Sequence, residues 1–204
     1  MNTRRYPAVF LLPRPEKSSR LILIFRPFMM IPVLFWGALY GFVAQFVGFI
    51  SFWAIIILGT FPQTLWEFCE RYFRFNVQIN AYSSLLTDTY PPFNGRDDNG
   101  YPVRVQLERP ERSSRLYALF RFLLLLPQLF FAIGYGLVIG FVYMVLFWVV
   151  LFIGRIPDGF WGLISRYFIW SSRLTAYSML LVDEYPPFNG LQPLSSEEEV
   201  FGRF

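Results

Sequence analysis

The residue types that most often carry chemistry are scarce in this chain of 204 residues. It has no histidine and one cysteine, Cys69, which excludes zinc sites, haem ligation by histidine, and Ser-His or Cys-His nucleophile pairs. No glycine-rich phosphate loop is present. Asp88 and Asp183 recur, but each stands beside a proline-rich turn, where aspartate commonly caps backbone amides. The sequence therefore predicts no enzyme, no cofactor and no metal site.

The remaining candidates for function are arginines that flank long apolar stretches. Basic patches for nucleic acid usually come with a polar scaffold, whereas this chain is 55% apolar and carries a net charge of +4. Arginines beside apolar runs favour anionic lipid headgroups or acidic groups of a membrane partner. The alternative is that they are simple anchors that reach up to the interface. These candidates are Arg20, Arg26, Arg71, Arg115, Arg121 and Arg166.

The elements that position these arginines occur twice, 95 residues apart. Without a gap, this shift pairs Pro15–Leu21 with Pro110–Leu116 and Tyr90–Gly95 with Tyr185–Gly190. The sequence therefore predicts a tandem duplication, with membrane repeats over 1–95 and 101–190, a polar joint over 96–100 and a flexible acidic tail over 191–204.

Each repeat contains a charge-free apolar segment, Pro27–Gly59 and Phe122–Gly154. As one helix, a segment of about 33 residues would measure roughly 50 Å, against a hydrocarbon core of about 30 Å. A transmembrane helical hairpin in each repeat, turning near Tyr40-Gly41 and near 134–136, places all 18 Lys and Arg on one face, as the positive-inside rule favours. We therefore expect two hairpins related by an axis along the membrane normal; one long tilted span per repeat is the alternative.

Two further elements complete each repeat. A helix carries Glu67, Glu70, Arg71 and Arg74 along one stripe and aromatic residues on the rest, which is typical of an interfacial amphipathic helix. A short alternating stretch, Val103–Leu107, indicates a strand at the start of the second repeat. The predicted fold is an all-α integral membrane protein of two repeats, each a hairpin, an interfacial helix and an extended Pro-Pro segment.

The Pro-Pro segment ends each repeat as Asp-X-Tyr-Pro-Pro-Phe-Asn-Gly. Two prolines enforce an extended backbone with few donors. Such a segment can cap its own repeat or dock against an aromatic surface of a partner. The candidate residues for capping or docking are Tyr90, Pro91, Pro92, Phe93, Tyr185, Pro186, Pro187 and Phe188.

The second repeat resembles a known family. Tyr-Pro-Val-Arg-Val, Pro-Glu-Arg-Ser-Ser-Arg-Leu, Phe-Arg-Phe, Gly-Arg-Ile-Pro and Tyr-Pro-Pro-Phe follow one another over 101–188, in an order that resembles a bacterial membrane family catalogued as domain of unknown function 4389. The first repeat departs from this pattern at Ala8, Phe10 and Thr60-Phe61, as a diverged duplicate would. The resemblance implies a class of membrane protein and no activity.

These observations lead to one expected function and two alternatives. We expect a non-catalytic integral membrane protein of the bacterial inner (cytoplasmic) membrane, with both termini cytoplasmic, acting as an accessory or scaffold subunit of a larger complex. Its partners would be the lipid bilayer and other integral membrane subunits, not nucleic acid. The alternatives are a membrane-shaping hairpin protein and a component of lipid or small-hydrophobe transport, which requires a cavity.

Overall fold

The computed structural model describes residues 6–96, 100–110 and 113–192. Within these ranges the chain forms four helices and two short strands: β1 (Ala8–Leu11), α1 (Arg20–Leu58), α2 (Gln63–Ser83), β2 (Arg104–Leu107), α3 (Arg115–Ile153) and α4 (Asp158–Ser178). The long helices have 39 residues each and the short helices 21. The prediction of a mostly helical chain is confirmed, and each of the two apolar segments forms one long helix. Most of the polar joint and of the acidic tail lies outside the described residues.

Both long helices begin and end with the same local signals. The hydroxyl of Ser19 accepts a hydrogen bond from the amide of Ile22 at the start of α1, and Gly59 ends the helix with a left-handed φ of 74°. Ser114 and Gly154 have the same roles in α3. A serine N-cap and a glycine after the last turn satisfy backbone groups that a helix leaves unpaired. These caps delimit one uninterrupted helix in each repeat.

The predicted hairpins are wrong, because α1 and α3 pass without a break through the expected turns. A single glycine lowers helix stability by only about 1 kcal/mol, so it does not force a turn among strong apolar helix formers. Gly41 has a packing role instead. A β-carbon at this position would lie 2.7 Å from the hydroxyl oxygen of Tyr72 on α2, so the glycine leaves room for the tyrosine side chain.

The two repeats are interlocked and lie antiparallel. The amide of Ser18, just before α1, donates to the carbonyl of Gly154 just after α3 at 2.9 Å. The amide of Ser113 donates to the carbonyl of Gly59 at 3.2 Å. The start of each long helix therefore lies at the end of the other. The strands also pair across the repeats, antiparallel, from Ala8 with Leu107 to Leu11 with Arg104. The repeats are thus related by an approximate two-fold axis.

The elements form three layers, with the short helices in the middle. The ring of Tyr135 on α3 lies 5.0 Å from that of Tyr167 and 5.5 Å from that of Trp170 on α4. Elsewhere on α4, Phe168 packs edge-on against Phe10 of β1, with ring centroids 6.2 Å apart. α2 lies between α1 and β2 in the same way. Since the two-fold maps each layer onto itself, its axis is perpendicular to the layers.

Apolar and polar surfaces are separated between these layers. Among the described residues, all large apolar side chains that are exposed lie on α1 or α3, except Phe93, Tyr185, Phe188 and Leu191. The exposed residues of the short helices are polar or glycine: Gln63, Thr64, Arg71, Asn80 and Ser83 on α2, and Asp158, Gly159, Arg166 and Ser178 on α4.

The two long helices are long and apolar enough to span a membrane. Only 17% of the most apolar stretch of each helix is buried within the protein. The central helix of a soluble protein is mostly buried, because water disfavours exposed apolar surface. The exposed apolar faces of α1 and α3 therefore support a membrane location.

Candidate functional site

Each repeat contains one arginine–aspartate cluster, at the point where the start of the long helix meets the chain that follows the short helix. In the first repeat, Arg26 Nη2 donates to Asp88 Oδ1 at 2.5 Å. The other carboxylate oxygen of Asp88 accepts the amide of Ser19, the N-cap of α1, at 2.7 Å. Arg26 Nη1 donates to the carbonyl of Tyr82, and its guanidinium lies 4.4 Å above the centre of the Tyr82 ring.

The second repeat has the same cluster, 95 residues later. Arg121 Nη2 donates to Asp183 Oδ1 at 2.7 Å, and Asp183 Oδ2 accepts the amide of Ser114 at 3.2 Å. Arg121 Nη1 donates to the carbonyl of Tyr177, and the guanidinium lies 4.3 Å from the centre of that ring. The duplication therefore conserves the geometry of this cluster as well as its residues.

The arginine–aspartate clusters hold elements of the same repeat together. The side chains of Arg26 and Arg121 are only 6% and 5% exposed, and those of their aspartates 22% and 21%. Each charge is balanced by its partner, and the tyrosine ring adds a cation–π contact. Both carboxylate oxygens accept hydrogen bonds, so each aspartate joins the start of the long helix to the end of the short one. This geometry suits holding two helices together.

The prediction that Arg26 and Arg121 contact lipid headgroups is wrong. Both side chains are buried beneath a tyrosine, because each finds an aspartate within its own repeat. The aspartate and a tyrosine carbonyl accept hydrogen bonds from the two terminal nitrogens of each guanidinium, so its charge is balanced within the repeat. The sequence separates each pair by 62 residues, so local reasoning on helix entrances did not reveal it.

Arg20 and Arg115 lie at the ends of the other repeat's long helix. Arg20 Nη2 donates to the carbonyl of Phe152 at 2.8 Å, and Arg115 Nη2 donates to the carbonyl of Ile57 at 3.0 Å. Both arginines are exposed. A cation at a helix C-terminus satisfies free carbonyls and opposes the negative end of the helix dipole. Their exposed guanidinium groups remain candidates for headgroup contact.

Arg71 and Arg166 occupy matching exposed positions on α2 and α4. Their backbone carbonyls contact the glycine that ends each Pro-Pro segment. Gly95 has a φ of 63°, and a β-carbon there would lie 2.3 Å from the carbonyl oxygen of Arg71. At Gly190 the corresponding distance to Arg166 is 2.0 Å. Only glycine permits this approach, so the arginine side chains point outward while their backbone anchors the segment.

The Pro-Pro segments lie against their own repeats. The ring of Tyr90 packs on that of Tyr82 with centroids 5.8 Å apart, and the carbonyl of Phe93 accepts the indole N–H of Trp36 at 3.0 Å. In the second repeat, Gln128 Nε2 donates to the carbonyl of Pro186 at 2.7 Å. Of the eight predicted residues, Phe93, Tyr185 and Phe188 are exposed, and Pro91 and Pro186 are buried.

Tyr6 and Tyr101 form hydrogen bonds between the repeats, a role that the sequence did not suggest. The hydroxyl of Tyr101 lies 3.1 Å from the carbonyl oxygen of Gln78 and 3.2 Å from that of Thr89, and the hydroxyl of Tyr6 donates to the carbonyl of Glu184. Burial raises the pKa of both tyrosines. The repeated Tyr-Pro pair at the start of each repeat is the sequence pattern that could have identified these two tyrosines.

The first repeat contains a cavity of about 440 Å³ between α1, α2 and the end of α4. Its lining includes Gln45, Gly48, Cys69 and Ser178. The counterpart of Gly48 in the second repeat is Tyr143, a much larger residue. Burial raises the pKa of Cys69 to about 11, so its thiol stays protonated at neutral pH and has little reactivity. The described residues contain no group of three or more His, Cys, Asp or Glu placed to hold a metal ion.

Comparison with known proteins identifies the repeats. The family model described as Domain of unknown function (DUF4389) matches twice, over residues 20–94 and 115–189. No curated protein and no solved structure matches the chain. The two matches cover most of the sequence and coincide with the two structural repeats. The chain therefore belongs to this family, as a tandem duplication of its domain.

Proposed function

We propose that this tandem member of the DUF4389 family is a non-catalytic integral membrane protein that serves as an accessory or scaffold subunit of a larger assembly in the bacterial inner membrane. One observation carries the proposal: the exposed surfaces of α1 and α3 are almost wholly apolar, while the exposed surfaces of α2 and α4 are polar. Contiguous apolar surface of this extent requires lipid or a protein partner.

The charged groups support a structural role. The most buried arginines, Arg26 and Arg121, are paired with aspartates inside their own repeats. Their contacts hold helices of the same repeat together. Arg71 and Arg166 are exposed at equivalent places on the two short helices. They present two guanidinium groups, related by the two-fold axis, to acidic groups of a partner or to lipid phosphate.

The orientation of the chain ends follows from the same surfaces. The side chain of Gln192 forms hydrogen bonds with the backbone of Phe10, so the described ends of the chain lie together beside the strands. Basic flanks favour the cytoplasmic side of a bacterial membrane. Both ends of the chain are therefore proposed to be cytoplasmic.

Purification from the source membrane tests the scaffold role. The full chain, extracted in a mild detergent, is expected to bring down other integral membrane proteins in fixed stoichiometry. Replacing both Arg71 and Arg166 with glutamate should reduce this recovery. The control is Arg96→Glu, which reverses an exposed charge outside the short helices. A lone chain of 24.1 kDa, with no co-purifying subunit before or after cross-linking, would contradict the proposal.

A second candidate is membrane shaping, favoured by the restriction of apolar surface to one layer. Because the hairpins are replaced by continuous helices, this candidate depends on the one-sided layer alone. Apolar mass inserted into one leaflet expands that leaflet relative to the other and bends the bilayer. The purified chain should then convert liposomes into tubules or small vesicles. Unchanged liposomes at high protein density would exclude this candidate. The cavity near Gly48 supports a third candidate, transport of a lipid or small hydrophobe.

A further inference from the structure

The long helices exceed the thickness of a bilayer by a wide margin. A helix of 39 residues measures about 58 Å at 1.5 Å per residue. The hydrocarbon core measures about 30 Å, so α1 would have to tilt by about 60° to fit within it, whereas spanning helices tilt by up to about 40°. The length of α1 and α3 therefore disfavours a crossing orientation.

The neighbours of α1 disfavour it further. Tyr40, at the middle of α1, packs against the rings of Phe68 and Tyr72 of α2, with centroids 5.5 and 5.1 Å apart. Arg71, between these two residues, is exposed. If α1 crossed the bilayer, its midpoint and this arginine would lie near the bilayer centre, where an arginine side chain is strongly disfavoured. Arg166 would incur the same cost in the second repeat.

The strands exclude a crossing orientation on other grounds. The two-fold axis passes between the midpoints of α1 and α3 and through the β1–β2 pair, so the strands lie at the mid-length of the long helices. In a crossing orientation they would lie at the depth of the hydrocarbon. Exposed Gln106 would then face lipid tails, which offer its side-chain amide no hydrogen bonds.

We infer that α1 and α3 lie in the plane of the membrane and are embedded in a single leaflet, with α2, α4 and the strands on its aqueous side. The partner of the apolar layer is then the acyl region of that leaflet. In this orientation the two-fold axis coincides with the membrane normal, so both repeats meet the lipid in the same way. Exposed Arg20 and Arg115, at the two ends of the layer, reach the headgroups. This inference depends on the proposed membrane location.

Sided labelling of single cysteines tests the orientation in the full chain. Cys69→Ala removes the native thiol, and Glu16→Cys, Thr60→Cys and Phe42→Cys are introduced one at a time. All three positions are exposed; Glu16 precedes α1, Thr60 follows it and Phe42 lies near its middle. A membrane-impermeant maleimide is added to right-side-out and to inverted vesicles. Each thiol must react fully in SDS, which controls for its presence.

The in-plane orientation predicts one pattern. The thiols at positions 16 and 60 react from the same side, at least tenfold faster than from the other, and the thiol at position 42 reacts from neither side. Reaction of 16 and 60 from opposite sides would show that α1 crosses the bilayer and overturn the inference. Reaction of the thiol at position 42 from the side opposite to position 16 would show a hairpin and overturn the inference as well. Release of the whole chain by alkaline carbonate would instead overturn the proposed membrane location.

Discussion

Removing one carboxylate from an arginine–aspartate cluster should destabilise the protein far more than removing an exposed one. Asp88→Ala leaves Arg26 without its anionic partner, although the arginine side chain is only 6% exposed. Breaking a buried pair by deleting one member costs about 3–5 kcal/mol. The carboxylate of Asp88 is 22% exposed, so we expect the lower end of this range, about 3 kcal/mol. The amide of Ser19 also loses its acceptor.

This cost corresponds to a measurable change in melting temperature. For a chain of this size, each kcal/mol lowers the Tm by roughly 2–4 °C, so Asp88→Ala should lower it by about 6–12 °C. The matched control is Asp158→Ala. The side chain of Asp158 is 89% exposed and pairs with Arg14, which is 41% exposed. Loss of such a surface pair costs about 1 kcal/mol or less, which is below about 4 °C.

The assay is a thermal scan of tryptophan fluorescence on the full chain in one detergent. The double variant Arg26→Met with Asp88→Ala separates the ion pair from other effects. Removing both charges leaves no unpaired ion, so the double variant should recover at least half of the lost stability. If Asp88→Ala melts within 2 °C of the parent chain, or if the double variant is less stable than Asp88→Ala alone, the arginine–aspartate cluster does not hold the helices together as described.

Three further predictions concern backbone geometry, the buried thiol and the contact between repeats. Gly95→Ala places a β-carbon against the carbonyl of Arg71 and should lower the free energy of unfolding by about 2 kcal/mol or more. Gly134 has open space around it, so Gly134→Ala should change the free energy of unfolding by less than about 1 kcal/mol. Thermal scans of the two variants test this difference. At pH 8, iodoacetamide should modify Cys69 at least tenfold more slowly in the folded chain than in the unfolded chain. Burial raises the pKa of this thiol to about 11, and only the thiolate reacts. Equal rates would contradict the burial of Cys69. Tyr101→Phe removes a hydroxyl that joins the second repeat to the first and should lower stability by about 1 kcal/mol, and an unchanged Tm would show that this contact contributes little.

Local features of the structure were predictable from short stretches of sequence. The serine and glycine caps, the strand near Val105 and the two long apolar stretches all follow from patterns within a few turns of chain, and the duplication follows from the repetition of such patterns 95 residues later. The caps of α1 and α3 depend on residues adjacent to each helix, so their physics is local. The same holds for the apolar content of the helices, since every residue of such a run contributes to it independently.

The site was less predictable, because its contacts join distant parts of the chain. Arg26 and Asp88 are 62 residues apart, and Arg20 reaches a carbonyl 132 residues away in the other repeat. A charge at a helix entrance looks the same in sequence whether it binds lipid, an aspartate or another helix. Burial and pairing distinguish these cases, and both are properties of the folded chain.

The sequence by itself determined that the chain is duplicated, mostly helical and apolar in two long stretches, because repetition and composition are written residue by residue. Whether each stretch turns back or continues depended on a competition between the positive-inside rule and the strength of an uninterrupted helix. In the folded chain each stretch is one continuous helix, and Gly41 packs against the hydroxyl of Tyr72 on α2. The antiparallel interlocking of the repeats, which separates an apolar layer from a charged one, likewise came only from the folded structure, because it depends on hydrogen bonds between the start of one repeat and the end of the other.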